Sequence, residues 1–138
     1  MDPLTATEPL TRAQFVEWGL AAALVAVGGS LLVRPKAWIA ALGTYASHPL
    51  ASLLGGLYAL FMGIVIVLAH NLWVADARVL VTLVGWVALL TGAVLLYVPE
   101  AMAWAVRRVP VTPRLVAVRG FVRVAIGGTV IAYLVSQA

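Results

Sequence analysis

Residues 28–63 read GGSLLVRPKAWIAALGTYASHPLASLLGGLYALFMG, and residues 92–127 repeat the pattern of this stretch without a gap, 64 positions later. Three glycines and two prolines keep one register: Gly28, Pro35, Pro49, Gly56 and Gly63 recur as Gly92, Pro99, Pro113, Gly120 and Gly127. Glycine and proline each impose a particular backbone behaviour, so five such matches at one offset are hard to produce by chance. The pattern predicts an internal duplication, with repeat units over about residues 14–70 and 78–136.

The composition is that of a chain folded in lipid. Hydrophobic residues make up 64% and charged residues 10% of the 138 positions, whereas soluble domains have roughly 45–50% and about 25%. Four apolar runs, residues 15–33, 50–69, 79–98 and 115–135, each have the length of about 20 residues that crosses a hydrocarbon core. We therefore predict an all-α polytopic membrane protein with four transmembrane helices, forming one integral membrane domain over residues 1–138.

The basic residues indicate topology. The net charge is +4, but most Lys and Arg flank the predicted spans, so nucleic-acid binding is not expected. Five lie on the side of the two long connections, 35–49 and 99–113, and two lie on the other side. The positive-inside rule then predicts cytoplasmic connections and both termini outside the cytoplasm. Eight arginines against one lysine, with many Ala and Val, are typical of a GC-rich bacterial genome and thus of an inner (plasma) membrane protein.

The glycines of the repeat predict how the spans pack. Small residues allow helix backbones to approach closely in lipid. Six repeated glycines are therefore predicted to form the helix contacts: Gly28, Gly56, Gly63, Gly92, Gly120 and Gly127. Between spans, the first connection has an apolar side that favours a helix in the headgroup layer. Within the third span, the hydroxyl of Thr82 is expected to bond to its own helix.

Six residues of the first unit carry a family resemblance: Gly29, Leu31, Pro35, Lys36, Ala37 and Trp38, followed by a glycine-rich span. They resemble the YjeT-like small inner-membrane proteins, which have two spans. In that family a basic residue and glycines open the second span, as Arg119 and Gly120 do here, whereas the first copy has Gly55 at the matching position. The resemblance covers both halves and implies a fused tandem of two such units. It implies fold and membrane but no chemistry, because that family has no established biochemical activity.

Arg119 and Arg123 are the most expensive residues to place in lipid. An arginine at the centre of a span costs roughly 2.5–3.5 kcal/mol on insertion scales, so both need partners or access to water. We predict that Arg119 reaches lipid phosphate or pairs with Glu100, and that Arg123 points into the bundle, where Gly120 and Gly127 leave room. The alternative is an anion path along this face, with these three charged residues as ligand candidates.

A second polar group is expected on the side of the termini. Its members, Glu17, His70, Asn71, Asp76 and Arg78, include groups that general acid–base chemistry uses, but a polar rim contains the same residues. No cofactor or metal is predicted, because the chain has no cysteine and its two histidines lie 22 positions apart, about 33 Å along a helix.

Three functions follow in order of preference. The first is a non-enzymatic accessory or interaction protein of the membrane, whose partners are the lipid bilayer and a second copy or another membrane protein. The second is a small anion transporter or channel that uses Arg119 and Arg123. The third is a lipid-acting enzyme with a site at Glu17 and His70.

Overall fold

A computed structural model describes residues 11–138, which form six α-helices. In chain order these are α1 (Arg12–Val33), α2 (Pro35–Ser47), α3 (Pro49–Ala69), α4 (Arg78–Tyr97), α5 (Glu100–Arg108) and α6 (Pro113–Gln137). Four of them, α1, α3, α4 and α6, have 20 to 25 residues and are long and apolar enough to cross a membrane. No β-strand occurs in residues 11–138. The prediction of an all-α protein with four membrane-spanning helices is confirmed.

Local sequence explains where the helices begin. At the start of α1, the Thr11 hydroxyl accepts a hydrogen bond from the Gln14 backbone N–H at 3.2 Å, and the Gln14 side chain accepts one from the Thr11 N–H at 3.0 Å. This reciprocal arrangement is a capping box. The helices α2, α3 and α6 each start at a proline, whose missing N–H has no intrahelical partner at that position anyway. The repeated prolines therefore mark helix starts, except Pro99, which precedes α5.

The four spans pack as two close pairs, α1 with α6 and α3 with α4. Glycines stand where the backbones approach most closely. A methyl group on Gly28 would lie 2.7 Å from the carbonyl oxygen of Gly120, and one on Gly120 would lie 2.8 Å from the carbonyl oxygen of Gly28. In the other pair, a methyl group on Gly92 would lie 2.7 Å from the carbonyl oxygen of Gly56. A larger residue at these points would push the helices apart.

The close contacts of the two pairs correspond in register. Gly28 meets Gly120, and the residues 64 positions away from each, Gly92 and Gly56, meet in turn. The same holds for the next contact along the helices. Gly63 faces Leu89, while Gly127 faces Val25, and each again differs by 64 positions from its counterpart. The α1–α6 contact therefore uses the same sequence positions as the α4–α3 contact.

The shape divides into two sides. We call the side that carries α2 and α5 the connection side, and the side that carries residue 11, the 70–77 loop and residue 138 the terminal side. A small apolar core, comprising Ala21, Ile66, Val81, Val130 and Leu134, is buried among the spans. Large apolar side chains cover much of the exterior, for example Leu57, Phe61 and Phe121. Such an exterior suits lipid as the solvent.

The two short helices lie across the bundle rather than along their own repeat unit. On the connection side, α2 contacts α6 and α5 as well as its neighbours, while α5 contacts α2, α3 and α4. The indole N–H of Trp38 in α2 donates to the Ser30 hydroxyl of α1 at 2.9 Å, and the Arg108 guanidinium lies 5.4 Å from the ring centroid of Trp104. The Trp38 bond thus links α2 to α1, whereas the Arg108–Trp104 contact lies within α5.

Candidate functional site

The polar residues predicted on the terminal side do not form one cluster. They separate into a buried pair, Glu17 and His70, and two more exposed groups centred on Asn71 and on Asp76 with Arg78. The prediction that all five meet at the outer surface is therefore wrong for Glu17 and His70, which are buried. The physical reason is that the 70–77 loop turns the His70 side chain inward against α1 while its following residues turn outward.

The buried pair joins three spans. His70 follows the last residue of α3, and its Nε2 atom lies 2.6 Å from Oε1 of Glu17 in α1. Its Nδ1 atom lies 3.2 Å from the hydroxyl of Thr82 in α4. The side chains of His70 and Glu17 are 0% and 3% exposed, and Thr82 is fully buried. We call Glu17, His70 and Thr82 the buried triad.

The 70–77 loop completes the hydrogen bonding of the buried triad. The Thr82 hydroxyl accepts from the Leu72 backbone N–H at 3.2 Å, and it lies 3.0 Å from the Leu72 carbonyl oxygen and 3.4 Å from the His70 carbonyl oxygen. Both ring nitrogens of His70 therefore have a side-chain partner, Thr82 at Nδ1 and Glu17 at Nε2. A buried polar group needs such partners, because an unpaired one is costly in a low-dielectric interior.

Thr82 corrects one prediction and was not recognised as a site residue. Its hydroxyl bonds to the loop at residues 70 and 72 rather than to its own helix. The sequence does carry a signal for its partners, because Glu17 and His70 have the apolar residues Val81 and Leu134 64 positions later. Those counterparts belong to the buried apolar core. Positions 64 residues apart thus differ in chemistry here.

The second group ties the loop to α6. Arg78 donates from Nη2 to Oδ2 of Asp76 at 2.7 Å and from its backbone N–H to Oδ1 at 2.8 Å. The Tyr133 hydroxyl of α6 donates to Oδ2 of Asp76 at 3.1 Å, and the Arg78 guanidinium lies 5.8 Å from the centre of the Tyr133 ring. The hydrogen bond from the Arg78 side chain is the main cause that lowers the pKa of Asp76 from 3.8 to about 2. Tyr133 was missed by sequence reasoning, since aromatic residues are common near membrane interfaces.

Asn71 forms the third group with two tryptophans. Its side-chain oxygen accepts from the indole N–H of Trp73 at 2.9 Å and lies 3.5 Å from the indole nitrogen of Trp86. Asn71 and Trp73 lie in the 70–77 loop, and Trp86 lies in the half of α4 nearer the terminal side. Amphipathic indoles held at this level fit an anchor in the headgroup layer.

Arg119 and Arg123 lie on a different part of the surface. Arg119 is exposed and Arg123 is half-buried, and Nη1 of Arg123 donates to the Arg119 carbonyl oxygen at 3.3 Å. Both line a groove of about 460 Å³ between α4 and α6. Gly120 and Gly127 leave no room for Arg123 in the bundle, because α1 fills the space against them.

Glu100 does not pair with Arg119. Within residues 11–138, the close contacts between acidic and basic side chains are Glu17 with His70 and Asp76 with Arg78. Glu100 opens α5, which packs against α2, α3 and α4 and not against α6, and it lines a cleft with Ser52 and Arg107 instead. The predicted pairing with Arg119 is wrong because α5 stays beside α3 and α4 and has no contact with α6.

The described residues bring no metal ligands together. Across residues 11–138 no group of three or more His, Asp or Glu side chains could hold a metal ion, and His48 and His70 stand at opposite ends of α3. The structure therefore presents two kinds of polar group: a carboxyl–imidazole pair that is buried from solvent, and two arginines that line a surface groove.

These features define an all-helical protein of the multi-pass membrane class. Comparison of the chain with protein-family models, curated proteins and solved structures gave no match.

Proposed function

We propose that this protein is a non-enzymatic accessory or interaction protein of the membrane. The observation that carries the proposal is the closure of the buried triad: Glu17 and His70 are bonded to each other and are 3% and 0% exposed. A general acid or base must come within hydrogen-bond reach of its substrate, and here both groups are withdrawn from any approaching molecule. This weighs against the lipid-acting enzyme.

The apolar exterior adds to this proposal. Equivalent positions of the two copies, Leu57 and Phe121, are 56% and 66% exposed, so α3 and α6 each present an apolar face to lipid or to another membrane helix. Close packing by glycines leaves these large side chains outside the bundle. A small bundle with two such faces is suited to contact a second copy or a larger membrane protein.

Origin and location belong to the same proposal. The corresponding glycine contacts of the α1–α6 and α3–α4 pairs support an internal duplication of a two-span unit, related by an approximate two-fold axis along the membrane normal. The basic residues support a bacterial inner membrane location with both termini outside the cytoplasm. The YjeT-like resemblance supports the same two-span unit.

Photo-cross-linking in native membranes tests the accessory role. A photoreactive residue at Leu57 or Phe121 should give a discrete protein adduct, and substitution of neighbouring exposed residues on the same face should abolish it. A matched position at Leu68, 82% exposed near the end of α3, should not give that adduct. Hydrolysis of membrane lipid by the purified protein that is lost in Glu17→Gln would overturn the proposal.

The anion transporter is the second candidate, favoured by the two arginines at one groove. Ion-flux measurements in liposomes separate it from the accessory role. An anion conductance abolished by Arg123→Ala would establish transport, whereas no flux above that of protein-free liposomes would leave the accessory role.

A further inference from the structure

The groove between α4 and α6 is an apolar depression on the outer surface of the bundle. Its volume of about 460 Å³ lies in the range of roughly 300–1,000 Å³ that is typical of ligand pockets. The floor comes from α1 and the walls from α4 and α6. The apolar lining consists of Leu24, Leu80, Leu83, Val84, Val87, Val118, Val122 and Ile126.

The two arginines stand together along one wall. Arg119 and Arg123 are one helical turn apart, about 9 and 15 Å from the start of α6. Side chains on a helix tilt toward its N-terminus, which for α6 is the connection side. This tilt brings Nη1 of Arg123 to the Arg119 carbonyl oxygen. Both guanidinium groups therefore lie at the part of the groove nearer the connection side.

The arginines have no acidic partner in the described chain. Among residues 11–138, Glu17 is bonded to His70 and Asp76 to Arg78, while Glu100 lines a cleft beside α3, away from both arginines. Arg123 makes one side-chain hydrogen bond and Arg119 makes none within residues 11–138. Like charges one turn apart repel each other, and each is costly in an apolar setting. An anion between the two guanidinium groups would remove both costs.

The first copy lacks this site. The residues 64 positions before Arg119 and Arg123 are Gly55 and Ala59. The phenol of Tyr45 lies directly over Gly55, where even a methyl group would collide with it. In the first copy, the Tyr45 side chain thus covers the position that corresponds to Arg119 in the second copy. Topology alone does not explain the difference, because both copies already carry basic residues in their connections.

We propose that the groove binds one anionic phospholipid, with the headgroup phosphate held by Arg119 and Arg123. Guanidinium groups bind phosphate through paired, charge-assisted hydrogen bonds. The acyl chain lies along the apolar wall from Val118 toward Leu80, and the glycerol faces the connection side. Such a site would serve an accessory protein and a transporter alike, so its test is independent of the function proposed above.

The test is native mass spectrometry of the full chain released from nanodiscs that contain phosphatidylcholine and phosphatidylglycerol in equal amounts. The wild-type protein should retain one phosphatidylglycerol in preference to phosphatidylcholine. The double variant Arg119→Gln with Arg123→Gln should lose this preference by about tenfold or more, since charge-assisted bonds are removed. The matched control Arg114→Gln, which removes an exposed charge from the same helix outside the groove, should keep it.

A second variant distinguishes binding of a whole phospholipid from binding of a free anion. Val122→Trp fills the groove without changing charge and should also displace the lipid. Equal retention of both lipids by the wild type, or retention that survives the double arginine variant, would overturn the proposal. So would saturable binding of inorganic phosphate that Val122→Trp leaves intact, because it would show a free-anion site. If the glutamine variant fails to fold, the Val122→Trp arm decides between bound and unbound lipid.

Discussion

Substituting Glu17 by Val and His70 by Leu gives each position the residue found 64 positions later, Val81 and Leu134. Val81 and Leu134 are 1% and 8% exposed in the apolar core, so both replacement residues are ones that this protein already buries. The single substitutions leave one member of a buried pair alone, whereas the double substitution removes both. The free energy of unfolding of the four proteins therefore separates the interaction from the groups that make it.

We expect each single substitution to cost about 3 kcal/mol. Removal of one partner from a buried charge pair costs roughly 3–5 kcal/mol, and a change of protonation in the remaining group lowers the cost toward the roughly 1–3 kcal/mol of an unpaired neutral group. Little solvent reaches either side chain, which is why screening does not reduce these values further. The double variant should lie within about 1 kcal/mol of the wild type, because apolar replacement of a buried pair is often neutral or stabilising.

Equilibrium unfolding in detergent micelles, followed by tryptophan fluorescence at pH 7, measures the cycle. The coupling energy should exceed about 3 kcal/mol, the upper end for residues in contact. Asn71→Ala is the control, since Asn71 is the exposed neighbour of His70 and its loss should cost under about 1 kcal/mol. Additive costs in the double variant would refute the pairing of Glu17 with His70.

Three further predictions concern packing, pH and topology. Gly28→Ala should destabilise the bundle by about 1–3 kcal/mol in the same unfolding assay, because the new methyl group meets the α6 backbone. Gly19→Ala is the control and should be neutral or slightly stabilising, because nothing lies within 4 Å of the added methyl group. Equal effects of the two substitutions would contradict the packing argument. The pKa of Asp76 falls from 3.8 to about 2 in the fold, so its contribution to stability should be present above about pH 4 and be lost as the pH falls toward 2. Asp76→Asn should remove that pH dependence. An acid-unfolding profile that this variant leaves unchanged would count against the role of the Asp76–Arg78 pair. A cysteine at Ala138 should react with an impermeant reagent in intact cells and one at Ser47 should not, and the reverse pattern would invert the topology.

Much of the fold could be predicted because it depends on local properties of the chain. Each predicted span agrees with its helix to within a few residues, as at 50–69 against Pro49–Ala69, because apolar length and proline act on neighbouring residues. Gly28, Gly56, Gly92 and Gly120 stand at the closest backbone contacts, since only small residues permit such an approach in lipid. Proline and glycine can therefore be interpreted from sequence alone, because few other residues are tolerated where a helix starts at proline or where two helix backbones touch.

The partners of the charged residues depended on the tertiary structure. Glu17 and His70 are 53 positions apart, and only the packing of α3 and α4 beside α1 brings them together with Thr82. Glu100 precedes Arg119 in the chain, but it begins α5, which packs beside α3 and α4 and does not contact α6. Ionisable side chains bind whatever complementary group lies near in space, and hydropathy contains no information about which helix that group is on. The sequence alone therefore determined the four spans and the glycines at their contacts. The tertiary structure decided that Glu17 and His70 are buried against each other, and that Arg119 and Arg123 line a surface groove.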